Sequence, residues 1–460
     1  MRHAGTGAEG GSHRAAELGG AGAATGSWSS PGPWSGGGPG HDPGLEAVPA
    51  AASGNATRNT SATGAVTAWD TAPASAAVPP WRRATGPAGA EPPAAPIKGE
   101  RRPRLYAIDV LRLCAALMVA LHHYTGTYRV NQPHNLIWGR PVSHIMPSVF
   151  GITAYGWIGV EIFFVISGFV ICMSCWGRRP RDFFVSRVIR LYPAYWFAVV
   201  FTSVVLTALP AAWPRPSARQ TLFNLSMLQS GAHIANVDGV YWTLWSELRF
   251  YLVFLAVVAT GLTYRKVVVF CCVWGTLAAL APVSGFPALQ LLADRDSTWY
   301  FIAGLALYLM HRFGPDLLLW GILGMSWVMA SDELGRRVQH VEQVSGWRGA
   351  FLLFTVFLLI MVAVALGFTD RLQWKWLATA GSLTYPFYLM HYAAGTTAIR
   401  YLRDRADPRL LVLALIAAAL LLSYLVHRLV ERPLARRLKR GLTATFTRLG
   451  APHPREDGAT

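Results

Sequence analysis

Between residues 105 and 430 apolar runs recur along the chain, with short polar stretches between them. A run of about 20 apolar residues is long enough to cross the hydrocarbon core as a helix, and a helix pairs its own backbone groups where no water can. A membrane barrel would instead show short segments of alternating polarity, and these runs are continuous. Ten spans are read: 105–124, 153–175, 193–210, 239–262, 267–283, 297–311, 316–330, 349–368, 382–400 and 409–428, the sixth and seventh being short. The predicted fold class is an all-α polytopic membrane protein of about ten transmembrane helices.

The polar stretches orient those helices. RRPR (101–104) precedes the first span, and the loop after the second carries Arg178, Arg179, Arg181, Arg187 and Arg190. Arg265 and Lys266 follow the fourth, and RPLARRLKR (432–440) follows the tenth. The opposite loops mix signs, with Asp332, Glu333 and Glu342 in 332–348 and Asp404 and Asp407 in 402–409. By the excess of Lys and Arg in cytoplasmic loops, both termini are expected in the cytoplasm of a multi-pass protein of the inner (plasma) membrane. No internal repeat is visible, which disfavours a transporter built from inverted halves.

Residues 1–100 differ in kind. GSWSSPGPWSGGGPG (26–40) is typical: Gly, Pro, Ser and scattered Trp without helical or strand period. Such a segment is expected to be a disordered low-complexity tail, and it lacks the continuous apolar stretch of a secretory signal. The expected plan is this tail, a membrane domain over 101–435, and a basic, disordered cytoplasmic tail over 436–460.

Composition changes the picture little. The chain is 53% hydrophobic and 14% charged, with mean hydropathy +0.32. A net charge of +17 would point to nucleic acid in a soluble protein. Here the basic residues sit in short loops, so helix orientation and anionic lipid headgroups account for them, and no nucleic-acid partner is expected. Cys114, Cys172, Cys175, Cys271 and Cys272 all fall within spans. Their spacing suits neither a disulfide framework nor a zinc site, so they are expected to be packing residues, and no metal is expected.

Ionisable residues inside spans are costly and invite a functional reading. In IDVLRLCAALMVALHHY (108–124) these are Asp109, Arg112, His122 and His123. At about 100° per residue, the steps from Arg112 to His123 come within roughly 20° of three full turns, so the two share a face about 16 Å apart along the axis. His122 lies about 80° off that face. Asp109, one turn before Arg112, can pair with it. Taken alone, Arg112 also reads as a residue snorkelling to the interface and His123 as a satisfied core histidine. An extended ligand with an anionic head and a reactive tip, as in acyl-coenzyme A, fits the stripe equally.

Other segments add candidates. GWIGVEIFFVISGF (156–169) carries Glu161 among phenylalanines, with Gly156, Gly159 and Gly168 allowing close helix approach. RVIRLYPAYW (187–196) sets Arg187 and Arg190 on one helical face, as an inside-positive loop or as a clamp for phosphate oxygens. YWTLWSELRFYL (241–252) sets Glu247 and Tyr251 amid aromatics, where a carboxylate can orient a histidine or simply tip an aromatic belt. GSLTYPFYLMHY (381–392) carries Ser382, Tyr385 and His391.

Together these segments resemble acyltransferase family 3, the ten-span bacterial integral membrane O-acyltransferases. The resemblance covers about 104–435 and rests on DVLRLCAALMVALHH, GVEIFFVISGFVI, RVIRLYPAYW, WTLWSELRFY, SLTYPFYLMH and a closing ERP, in that order. It implies that the family's first-helix Arg and essential His fall on Arg112 and His123. Its arginine pair falls on Arg187 and Arg190, its aromatic-flanked Glu on Glu247 and its late His on His391. Two departures stand out. Leu248 and Arg249 follow Glu247, where relatives often carry a second acid, and no soluble esterase-like domain is expected after the tenth span.

The resemblance implies transfer of an acyl group, often acetyl, from acyl-coenzyme A to a hydroxyl of a sugar or glycosylated molecule. The expected catalytic residues are His123, Arg112 and Glu247, and the expected phosphate contacts are Arg187, Arg190 and Arg112. Asp109, Glu161, Tyr251, Ser382, Tyr385 and His391 are further candidates. His123 is expected at the thioester end, as general base or as transient acyl carrier, with Glu247 fixing its tautomer. Acyl-coenzyme A is a substrate and no tightly bound cofactor is expected. The acceptor is expected to be a carbohydrate, a lipid-linked sugar or a glycosylated metabolite. The alternative is a polytopic transporter or flippase using the same charges as a permeation path.

Overall fold

The computed structural model describes residues 105–126, 137–210, 213–340 and 345–449. The tail expected over 1–100 and the RRPR segment lie outside the described residues. Among those described there is no strand, and the helices run α1 (Tyr106–Leu121), α2 (Val142–Ile145), α3 (Pro147–Thr153), α4 (Ile158–Cys175), α5 (Pro180–Ala208), α6 (Ala218–Asn224), α7 (Trp242–Ala259) and α8 (Tyr264–Ser284). They continue with α9 (Pro287–Leu292), α10 (Arg295–Phe313), α11 (Leu317–His340), α12 (Trp347–Ala365), α13 (Trp376–Met390), α14 (Tyr392–Leu402), α15 (Pro408–Val426) and α16 (Arg432–Leu449). Two π-helical turns, His122–Gly126 after α1 and His427–Glu431 after α15, complete the site-bearing segments.

Eight helices among the described residues are long and apolar enough to cross a membrane. They match the expected spans except 297–311 and 382–400, and each exception has a physical reason. Every residue of α10 from Ser297 to Met310 is buried within the protein. It is a central post against α4, α8, α11 and α12. Protein rather than lipid surrounds it, so it tolerates Ser297, Thr298, Tyr300 and Tyr308 and reads as less apolar. The 382–400 run is two helices, α13 and α14, which meet at His391.

The α4–α10 crossing is close because both helices lack a side chain there. A Cβ on Gly168 would collide with the Phe301 carbonyl, and one on Gly304 with the Val165 carbonyl. Gly156 and Gly159 serve α1 likewise, meeting the backbone at Met118 and Ala115. Cys172, Cys175 and Cys271 are buried packing residues, whereas Cys114 and Cys272 are exposed.

Two boundaries need correction. The charged stretch read as the loop 332–348 is helical as far as His340. Its charges are paired: Arg336 with Asp332 (2.7 Å) and Glu333 (2.6 Å), and Arg337 with Glu161 (2.7 Å). The segment after 435, read as a tail, continues as α16 to Leu449. Leu434, Leu438 and Leu442 recur one helical turn apart and are half-buried, while Arg436, Arg437, Lys439 and Arg440 stay exposed, and α16 packs on α5.

Candidate active site

The π-helical turn after α1 separates its two histidines. A π-turn carries an extra residue per turn and re-aims side chains relative to the α-helix it interrupts. His122 is buried, and its Nδ1 donates to the Thr153 carbonyl (3.0 Å). The Thr125 hydroxyl meets Leu121 O (2.8 Å) and Thr153 Oγ1 (3.0 Å), so this side of the turn is fixed to α3. Gly126 closes the turn, and a Cβ there would press within 2.8 Å of His122 Nδ1.

His123 points the other way. Its Nδ1 lies 2.8 Å from His391 Nε2, and its ring sits 4.2 Å from that of Tyr392. His391 Nδ1 lies 2.8 Å from the Tyr388 carbonyl. A carbonyl only accepts, so His391 Nδ1 carries the proton, and the Nε2 of neutral His391 is an acceptor. His123 Nδ1 must then donate to it. The remaining nitrogen of neutral His123, Nε2, holds a lone pair, and among the described residues it has no hydrogen-bond partner.

His391 is well placed to impose this direction. It is fully buried at the junction of α13 and α14, and its own carbonyl accepts the Tyr124 hydroxyl (2.7 Å). The next turn is held by Asp238, whose carboxylate accepts from Val240 N (3.1 Å) and Ala393 N (3.0 Å). Asp238 is completely buried in the connection before α7, and burial pushes its carboxyl up to about 7. Trp213 lies 5.2 Å from the Tyr392 ring and donates to Thr396 Oγ1 (2.9 Å).

The second half of the site is cationic. Arg187 donates to Ser174 Oγ (3.3 Å), with its guanidinium 5.8 Å from the Tyr251 ring centre. Arg190 donates to Glu431 Oε1 (3.1 Å) and lies over the Tyr385 ring. Arg112 is within electrostatic range of Arg190, Asp109, Glu247 and Tyr251, and makes no hydrogen bond among the described residues. The Asp109 carboxylate packs on Gly381 of α13. Arg112 thus faces Glu247 and Arg190, and Arg187 faces Tyr251, with guanidinium donors left over for anionic oxygens.

Glu247 needs correction as the orienter of His123. Its Oε1 accepts from Ser167 (3.0 Å) and from the Tyr251 hydroxyl. It lies within electrostatic range of Arg112, and the residue that meets His123 Nδ1 is His391. Ser382 donates to the Thr379 carbonyl of its own helix (2.7 Å), and Tyr385 donates to Leu191 O (3.2 Å). Glu161 forms a buried ion pair with Arg337, whose guanidinium lies 5.0 Å from the Trp157 ring centre and within electrostatic range of His123. Arg249, at the departure from the family pattern, pairs with Asp294 (2.6 Å). Among the described residues no cluster of three or more His, Cys, Asp or Glu can hold a metal ion.

Sequence reasoning missed Arg337, Asp238, Tyr392 and Glu431. For Arg337 a signal existed: Asp332, Glu333, Arg336 and Arg337 alternate at helical spacing, as paired charges on a continuing helix do. The Asp238–Ala393 and Glu431–Arg190 contacts join residues distant in sequence, although the closing ERP and His427 four residues before Glu431 were a local signal for Glu431.

Comparison with known proteins identifies the family. A family model described as an acyltransferase domain, that of acyltransferase family 3, matches residues 105–428. The chain is similar to the acyltransferase MdmB of Streptomyces mycarofaciens, 27% identical over 364 residues that cover 67% of this chain and 87% of that one. It is also similar to an O-acetyl transferase of Shigella phage Sf6, 28% identical over 220 residues that cover 44% of this chain and 62% of the phage protein. No solved structure matches. The chain therefore belongs to acyltransferase family 3 and is a multi-pass membrane acyltransferase that transfers groups other than aminoacyl groups.

Proposed function

We propose that the protein is an inner-membrane O-acyltransferase that moves an acyl group, acetyl in the first instance, from acyl-coenzyme A to a hydroxyl. The acceptor is a carbohydrate, a lipid-linked sugar or a glycosylated metabolite. The observation that carries this reading is the directed chain Tyr388 carbonyl, His391, His123, which ends in one unprotonated imidazole nitrogen. The O-acetyl transfer named for the phage relative supports the acetyl group and the oxygen acceptor.

In this reading α10 and the α13–α14 pair also cross, which brings the crossings to ten and returns both termini to one side. The arginine end is cytoplasmic, as its basic loops require. Acyl-coenzyme A enters there with its phosphates against Arg187, Arg190 and Arg112. Its pantetheine arm runs along α1 over the roughly 16 Å to His123. His123 Nε2 takes the acceptor's hydroxyl proton as the oxygen attacks the thioester carbonyl. The C–S bond breaks, and the same proton passes from Nε2 to the departing thiolate. His391 Nε2 keeps accepting from His123 Nδ1 throughout and so supports the transient imidazolium. Glu247 balances the arginine charge.

The test is coenzyme A release by the full chain in nanodiscs with labelled acetyl-coenzyme A and a glycan extract. His123→Ala is expected to lower release by about 10²–10⁴-fold. His122→Ala removes only the hold on Thr153 and is expected to stay within about tenfold of the parent. Equal loss in both variants, or glycan movement without coenzyme A release, contradicts the reading.

A further inference from the structure

We infer that Glu431 is a positioning residue for the acyl donor, aiming the Arg190 guanidinium at the coenzyme A phosphates through a hydrogen-bonded chain that also includes His427 and Arg432. The inference rests on the proposed donor site. The chain is continuous. Glu431 Oε1 accepts from Arg190 Nη1 (3.1 Å), and Oε2 accepts from His427 Nδ1 (2.8 Å). His427 Nε2 in turn accepts from Arg432 Nε (3.2 Å).

An arginine Nε–H only donates, so His427 Nε2 is the unprotonated nitrogen and its Nδ1 carries the proton to Glu431. Both carboxylate oxygens are thereby engaged, and the Glu431 side chain is only 7% exposed. The π-turn supports this packing, because it sets His427 and Glu431 side by side at its two ends. Arg190 contrasts with its anchor: its side chain is 31% exposed, and among the described residues only Nη1 is hydrogen-bonded. The Tyr385 ring, 5.9 Å from its Cζ, bounds the guanidinium on one side. One edge of the fork is fixed and the rest is free for an anion, which is how a guanidinium is pre-organised for phosphate.

Simple electrostatics opposes the inference in sign, which makes it testable. A carboxylate near bound phosphates repels them, so removing its charge alone would tighten donor binding. If Glu431 positions Arg190, removing it loosens donor binding instead. The test measures coenzyme A affinity of the purified full chain in nanodiscs, beside steady-state kinetics with acetyl-coenzyme A and with acetyl-pantetheine, which lacks the nucleotide phosphates.

Glu431→Gln is expected to weaken coenzyme A binding and raise the acetyl-coenzyme A KM about five- to tenfold, with kcat within about twofold. Kinetics with acetyl-pantetheine should not change. Adding Glu431→Gln to Arg190→Ala should cost nothing further. If Arg190→Ala weakens coenzyme A binding while Glu431→Gln leaves it unchanged or tighter, the inference fails and the donor site stands. If Arg190→Ala leaves coenzyme A binding unchanged, the donor site itself is wrong. Should Glu431→Gln not fold, His427→Asn, which removes the other hold on the carboxylate, must give the same phosphate-dependent loss in smaller measure, and no loss overturns the inference.

Discussion

The two π-helical turns use one backbone device for opposite ends. Each follows a long helix, α1 or α15, and each begins with a histidine whose Nδ1 donates within the protein. After α15 the acceptors are all taken: Arg432, His427 and Arg190 donate along a chain that engages both Glu431 oxygens. After α1 they are not. His122 is consumed by Thr153, but the chain through His391 ends at His123 Nε2 with a lone pair to give. A closed chain holds a group still and an open chain presents one for reaction, so in the proposed mechanism the same turn serves positioning at the cationic end and proton transfer at the other.

That contrast can be broken at the open end first. His391→Phe keeps a ring in the space but removes the acceptor for His123 Nδ1–H, so either tautomer of His123 becomes available. Activity is expected to fall about 10–100-fold at unchanged acetyl-coenzyme A KM, read from coenzyme A release across pH. His391→Gln, which can still offer an acceptor oxygen, should recover part of that loss. A His391→Phe variant with parental activity would dissolve the distinction between the two turns.

A smaller effect is expected at Asp238, which holds the turn after His391. Its folded carboxyl lies near 7, above the ordinary 3.8, because burial disfavours the charged form. A raised folded value means its contribution to stability is complete below about pH 4 and is lost as pH rises through about 7. Thermal midpoints of the parent in nanodiscs should therefore decline between about pH 4 and pH 7, and Asp238→Asn should remove that component of the decline. Identical slopes in the two proteins would show that Asp238 does not titrate in this range.

How much of this could be read from the sequence depends on distance along the chain. Hydrophobic runs located the spans, because lipid leaves only one way to satisfy a backbone. The run over 297–311 also found α10, although that helix is shielded by protein and reads as less apolar, and the reading failed past residue 330, where paired charges imitate a loop. Helical phase separated His122 from His123, but it says which way a residue faces and not what it meets. The partner of His123 is 268 residues away, and Glu431 is 241 residues from Arg190. Glu247 shows the same limit: its aromatic setting is plain in WTLWSELRFY, while its hydrogen bond to Ser167 and its nearness to Arg112 are tertiary facts.

The central claim is the direction of the open chain, and nitrogen chemical shifts of the histidine rings test it most directly. In ¹⁵N-histidine-labelled protein in nanodiscs, with His123→Gln and His391→Gln variants to assign the signals, both rings should be neutral with the proton on Nδ1, and His123 Nε2 should carry the shift of an unprotonated nitrogen. A proton on His123 Nε2 in the resting protein would contradict the account.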